Sequence, residues 1–160
     1  MILVKASVYI ETTVVSYLTA RRSRDIVAAA HQKLTREWWK WKRRSFDCDV
    51  SEAVIREASA GDAREAKRRL KRLEDVFVLE ATSEALELAE LLLKRKVIPV
   101  NAAEDAAHIA IATVSGMDFL LTWNCKHIAN ARLEAKLVEV CRVAGYEMPV
   151  ICAPEELMGE

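Results

Sequence analysis

Short apolar runs alternate along this chain with longer amphipathic stretches. Ser7–Ile10, with apolar residues 2–4 just upstream, is a β-branched run that ends abruptly in Glu11-Thr12-Thr13. That is the profile of a buried strand. Thr12 and Thr13 are suited to cap a following helix that carries Val14, Val15, Tyr17 and Leu18. The pattern next predicts a helix from about residue 25 to 44, a short strand over 46–50, and a helix capped by Ser51 and running through Glu57. Gly61-Asp62 interrupts it, and a very basic helix covers 63–73. Further on come a strand at 76–79 and a helix at 85–95 opened by Thr82-Ser83-Glu84. A helix from about 102 to 115, a strand at 118–121, a helix at 130–144, a strand at 149–152 and a turn at 154–157 complete the series. Strands alternating with helices in this way imply a parallel sheet covered on both faces. No internal repeat or long linker divides the chain, so a single domain over 1–160 is expected.

Composition narrows the class. With 4 Gly and 3 Pro in 160 residues, an all-β protein built on tight turns is disfavoured. A hydrophobic share of 52% beside 30% charged residues supports a folded core rather than disorder. No apolar run approaches the roughly 20 residues needed to span a bilayer, and the first ten lack the basic start and small-residue cleavage site of a secretory leader. A soluble, cytoplasmic protein with no membrane partner is the expectation. Cys48, Cys125, Cys141 and Cys152 are scattered without C-x-x-C spacing, so they read as buried thiols in a reducing compartment.

The formal net charge is zero, 24 Lys+Arg against 24 Asp+Glu, which argues against a nucleic-acid partner until the charge is mapped. Between Arg21 and Arg72 lie 16 Lys+Arg and 8 Asp+Glu, a local +8 balanced by −8 elsewhere. Such asymmetry says more about partners than the total does.

Ligands of open α/β sheets bind beyond the carboxyl ends of the strands. Glu11 directly follows the first strand, and Asn124 lies just past the strand ending in Leu121. Glu57 and Asp105 sit on helices expected on the same side. Three carboxylates gathered without Lys or Arg partners repel one another, so their convergence calls for a divalent cation. An all-oxygen donor set favours Mg²⁺ or Mn²⁺ over zinc.

Four blocks carry a resemblance: Val8-Tyr9-Ile10-Glu11-Thr12-Thr13, Ser51-Glu52-Ala53-Val54-Ile55-Arg56-Glu57, Asp105-Ala106-Ala107-His108-Ile109-Ala110, and Leu121-Thr122-Trp123-Asn124-Cys125-Lys126-His127. In order and spacing they resemble the signature blocks of PIN-domain nucleases, and most of all the VapC-type toxins of bacterial toxin–antitoxin pairs. The resemblance runs from about residue 8 to 156. It implies a three-layer α/β/α sandwich with a central parallel sheet and metal-dependent cleavage of RNA. It also implies homodimerisation and neutralisation by a small antitoxin protein. Carried over by position, Glu11 stands where the family has its first-strand Asp, Glu57 at the helix Glu, Asp105 at the third acid and Asn124 where a fourth Asp is usual. Glu at 11 reaches one methylene further, and Asn at 124 keeps an oxygen but loses a charge.

The expected reaction is in-line attack on a phosphodiester by water activated by Mg²⁺ or Mn²⁺. Glu11 and Asp105 are expected as direct ligands, Glu57 as a ligand through water or the group orienting the nucleophile, and Asn124 as a group orienting water. Thr12, Thr122, Lys126 and His127 are candidate substrate contacts.

Other readings stand beside these. His108, three residues after Asp105 on one helix face, suits a hydrogen-bonded structural role better than metal ligation. Trp38 and Trp41 share a face suited to the core while Trp39 points elsewhere, and a dimer or antitoxin surface is the next reading for this segment. The basic helix at 63–73 serves either RNA backbone or simple solvation. The rival function is a catalytically weak or inactive PIN-like module that binds RNA or protein. A nucleotide-binding domain is disfavoured by the lack of any G-x-G-x-x-G or P-loop pattern.

Overall fold

The computed structural model describes residues 3–159. Its centre is a parallel sheet whose strands lie in the order β3-β2-β1-β4-β5. These are β1 (Ser7–Ile10), β2 (Asp47–Ser51), β3 (Phe77–Leu79), β4 (Phe119–Leu121) and β5 (Val150–Cys152). β1 takes the middle because Val8, Tyr9 and Ile10 are fully buried, as a strand covered on both faces must be. Its register sets Val8 against Cys48 on one side and Phe119 on the other.

Seven helices, among the described residues, fill the connections: α1 (Thr12–Thr19), α2 (Ile26–Trp41), α3 (Glu52–Ala58), α4 (Ala63–Arg72), α5 (Ser83–Lys94), α6 (Ala103–Val114) and α7 (Ala131–Val143). Right-handed crossovers place α1–α4 over one face of the sheet and α5–α7 over the other. The packing agrees, with α1 against α2, α3 and α4, and α5 against α6 and α7. The expected three-layer sandwich is therefore present. No helix among the described residues is long and apolar enough to cross a membrane.

The chain runs outward from β1 through β2 to β3, then returns to the other side of β1 as β4 and β5. The order thus reverses between β1 and β4. At such a switch point the following loops diverge and leave a crevice at the carboxyl edge.

Three local expectations need correction. Neither Thr12 nor Thr13 caps α1. Glu11 does so, with φ −82° and ψ 157°, and its carboxylate accepts the Thr13 amide. The strand geometry ends at Ile10, so Glu11 is the first residue free to take the cap conformation. Trp38 and Trp39 are the buried pair on α2, whereas Trp41 is 67% exposed. Trp41 is the last residue of α2, so its ring rests in solvent beside Lys40. Among the cysteines, Cys141 and Cys152 are buried, Cys48 is intermediate and Cys125 is exposed.

Candidate functional site

The carboxyl edge beside the switch point collects the acids. Glu11 leaves β1 there, with its amide donating to the Leu121 carbonyl of β4 at 3.0 Å, which locks the two strand exits together. Its side chain is 2% exposed and accepts three hydrogen bonds. Thr13 N donates to Oε2 at 2.9 Å, Thr13 Oγ1 to Oε1 at 2.6 Å, and Thr122 Oγ1 also donates to Oε1. All three donors are neutral. The carboxylate is held in place without its charge being cancelled.

Glu57 reaches the same point from α3, which starts immediately after β2 under the Ser51 cap. Its Oε1 accepts from Thr12 Oγ1 at 2.8 Å and makes a short contact with His108 Nε2. Burial alone would raise this carboxyl, but the His108 and Thr12 hydrogen bonds, helped by Arg56, hold it below the ordinary carboxylate value. His108 is completely buried on α6. Its desolvation works against the charged imidazolium, yet the Glu57 bond together with the charges of Glu11, Glu57 and Asp105 raises its pKa.

Behind His108 the chain of hydrogen bonds continues into the core. Nδ1 meets Tyr9 Oη at 2.7 Å, Tyr9 Oη meets Ser51 Oγ at 2.7 Å, and Ser51 Oγ accepts the Val54 amide at 3.3 Å. The direction of donation follows the charge on His108. With a neutral imidazole, Val54 N–H donates to Ser51, Ser51 to Tyr9, Tyr9 to His108 Nδ1, and the proton on Nε2 points at Glu57; with the imidazolium, Nδ1 donates to Tyr9 and Tyr9 to Ser51. Burial also raises the Tyr9 phenol, so it stays protonated and able to donate. Glu57 is thereby fixed from the interior of the protein.

The remaining expected residues stand nearby with other partners. Asp105, in the first turn of α6, bonds His127 Nδ1 through Oδ2 at 2.9 Å. Asn124 Oδ1 accepts the amides of Lys126 and His127, each at 3.1 Å, so it shapes its own turn. Thr122 Oγ1 accepts the Asn124 amide at 2.9 Å while donating to Glu11. Lys126 is exposed. The structure thus brings Glu11 and Glu57 together with His108, one potential ligand atom from each lying within 4.8 Å of the others. Asp105 stands outside that tight group.

A hard cation fits the donor set. Among the described residues no Lys or Arg forms an ion pair with Glu11, Glu57 or Asp105; His108 bonds Glu57 and His127 bonds Asp105. Glu11 and Glu57 would hold the ion, with Asp105 the next oxygen donor at the same edge. His108 is poorly placed to ligate, since both ring nitrogens are occupied by Tyr9 and Glu57.

Sequence reasoning missed Tyr9, Ser51 and Thr13 as members of the site. The signals available were weak: a Tyr two residues before Glu11, and two hydroxyls that read as ordinary capping groups.

No protein-family profile and no curated protein matches the sequence. Solved structures do match by shape. VapBC-1 from nontypeable Haemophilus influenzae superposes with a TM-score of 0.59 at 14% identity, covering 93% of this chain and 98% of that one. VapBC2 from Rickettsia felis, bound to a DNA fragment from its promoter, gives 0.54 at 13% identity over 92% and 98%. VapC20 from Mycobacterium tuberculosis, a Sarcin-Ricin loop cleaving toxin, gives 0.55 at 18% identity over 78% and 95%. The chain has the PIN-type α/β/α fold of these VapC toxins.

Proposed function

We propose that the protein is a metal-dependent endoribonuclease, the toxin of a VapBC-type pair that acts as a homodimer in the cytoplasm and is restrained by a small antitoxin. The observation that carries this reading is the Glu11–Glu57 carboxylate pair at the switch point, held by neutral donors and a histidine and, among the described residues, by no Lys or Arg ion pair. Its likeness in fold to three VapC-containing structures supports the reading.

A bound Mg²⁺ or Mn²⁺ supplies positive charge against the phosphate and makes water a better nucleophile at neutral pH. The chain's own residues do the rest. Thr13 and Thr122 orient Glu11, and Thr12 and His108 orient Glu57, so the acids meet a ligand without reorganising. Asp105, steered by His127, adds a third negative group beside them. Lys126 is free to meet a substrate phosphate. Asn124 contributes by setting the turn that presents Lys126 and His127.

One observation favours a second reading, a PIN-like module with little activity: Asn124 adds no charge, and its oxygen is spent on two backbone amides. Incubation of purified protein with labelled RNA separates the two. The nuclease cuts with Mn²⁺ or Mg²⁺, stops with chelator, and loses most of its rate in Glu57→Gln and Asp105→Asn. Cleavage by those variants at the parental rate removes the site assignment. RNA binding without cleavage under any divalent cation favours the module.

A further inference from the structure

About one helix length from the acids lies a groove of about 710 Å³ lined by Arg21, Arg22, Arg36, Arg68, Lys71 and Arg72. The one acid in its lining is Glu74. The cations arrive from three places: the loop after α1, the outer face of α2, and the last turns of α4. A purely local cause accounts for only some of them. Arg36 donates to the Ala20 carbonyl at 2.9 Å and so serves the end of α1. Arg68 makes a 3.4 Å contact with Glu65. Lys71 and Arg72 suit the negative end of the α4 dipole. Arg21 and Arg22 are exposed, lie on no helix, and make no ion pair among the described residues. Nothing local calls for two further cations there.

The chemistry of the lining selects its occupant. A protein-binding groove needs an apolar centre to bury, and here Leu18, the large apolar residue of the lining, is itself 5% exposed. A surface that is strongly positive, polar and rich in arginine forks is instead what phosphate backbone requires. Position supplies the link to the acids. Thr12, at the start of α1, touches Glu57, while Thr19, at its end, lines the groove. The two sites are therefore separated by about 10 Å of helix.

We propose that this groove is an anchoring site for the phosphate backbone of single-stranded RNA, a few nucleotides from the bond that is cut. The inference rests on the nuclease reading above, and it gives the local +8 a specific task. Substrates long enough to cover α1 gain affinity from the groove, and substrates too short to reach it do not.

The test measures fluorescence anisotropy of a labelled single-stranded RNA in chelator, across about 50 to about 200 mM salt. The proteins compared are the parent, Arg21→Ala/Arg22→Ala, and Arg68→Ala/Lys71→Ala/Arg72→Ala. Each lost phosphate contact lowers the slope of log K against log salt by about 0.7, so the double variant loses about 1.4 and the triple about 2. Affinity at the lower salt falls about tenfold or more in both. With Mn²⁺, KM for the long RNA rises while kcat and the cleavage of a trinucleotide stay parental. Parental slopes in both variants, in a protein that binds and cuts RNA, overturn the groove and leave the nuclease intact. Loss of polyglutamate binding with RNA binding unchanged assigns the groove to an acidic protein and overturns the proposal. A parent that neither binds nor cuts RNA removes both readings.

Discussion

Replacing His108 by Leu tests whether the buried network holds Glu57 in place. The side chain is fully buried, and Leu fills a similar volume, so the change mainly removes hydrogen bonds rather than opening a cavity. Two bonds disappear, one to Tyr9 and one to the Glu57 carboxylate. Each partner keeps another hydrogen bond. Tyr9 keeps Ser51 at 2.7 Å, and Glu57 keeps Thr12 and leaves 33% of its side chain in contact with solvent. A fully sealed ion pair broken on one side costs about 3–5 kcal/mol. Here a loss of about 2–3 kcal/mol follows, one neutral and one charge-assisted bond. For a chain of this length that lowers Tm by roughly 4–12 °C. Urea unfolding in chelator, run as a cycle with Glu57→Gln and the double variant, isolates the pair, and a coupling of at least about 1 kcal/mol is expected. A Tm within about 2 °C of the parent, or additivity within about 0.5 kcal/mol, would refute the idea that His108 restrains Glu57.

Three further outcomes follow from the same structure. Glu57 is depressed in the fold, so its contribution is present above its unfolded pKa and lost as pH falls through the folded value; His108 is raised, so its contribution is present below its unfolded pKa and lost as pH rises through the folded one. In chelator the network therefore stabilises most between roughly pH 4.5 and 6.5, and a Tm profile of His108→Leu is flatter across both limits than that of the parent. Trp38→Ala costs about 3–5 kcal/mol by chemical denaturation, whereas exposed Trp41→Ala stays within about 0.5 kcal/mol; equal losses would mean that α2 is rotated. Asp62 caps α4 by accepting from Arg64 and Glu65 amides, so Asp62→Ala costs about 1 kcal/mol in thermal melts without changing the cleavage rate of a trinucleotide.

Much of the architecture is legible from local pattern. Ser51 and Thr82 stand before apolar helices and do cap them, and each short run expected as a strand is one. The strand ends also point to the edge where Glu11 and Thr122 meet. What the pattern could not display is partnership across the chain. Tyr9 and Ser51 are 42 residues apart and Tyr9 and His108 are 99 apart, so no local spacing announces their bonds. Glu11 was legible as an acid at a strand exit but not as the cap of the next helix, because Thr12 and Thr13 are equally good capping types. The tryptophans show a related limit. Three-residue spacing pairs Trp38 with Trp41, but the helix ends at Trp41 and Trp39 packs inward beneath Arg43. The zero net charge hid the arrangement that matters most, acids at the crevice and cations in a groove about a helix away.

On the proposed reading the Glu11–Glu57 pair holds a divalent cation, which Mn²⁺ titration followed by the paramagnetic signal of the free ion checks. The parent should bind Mn²⁺ saturably, and Glu11→Gln should weaken that binding at least about tenfold, the loss that follows even when only a group supporting a metal ligand is removed. Equal binding by parent and Glu11→Gln, or none by either at millimolar ion, would mean that the pair is no cation site.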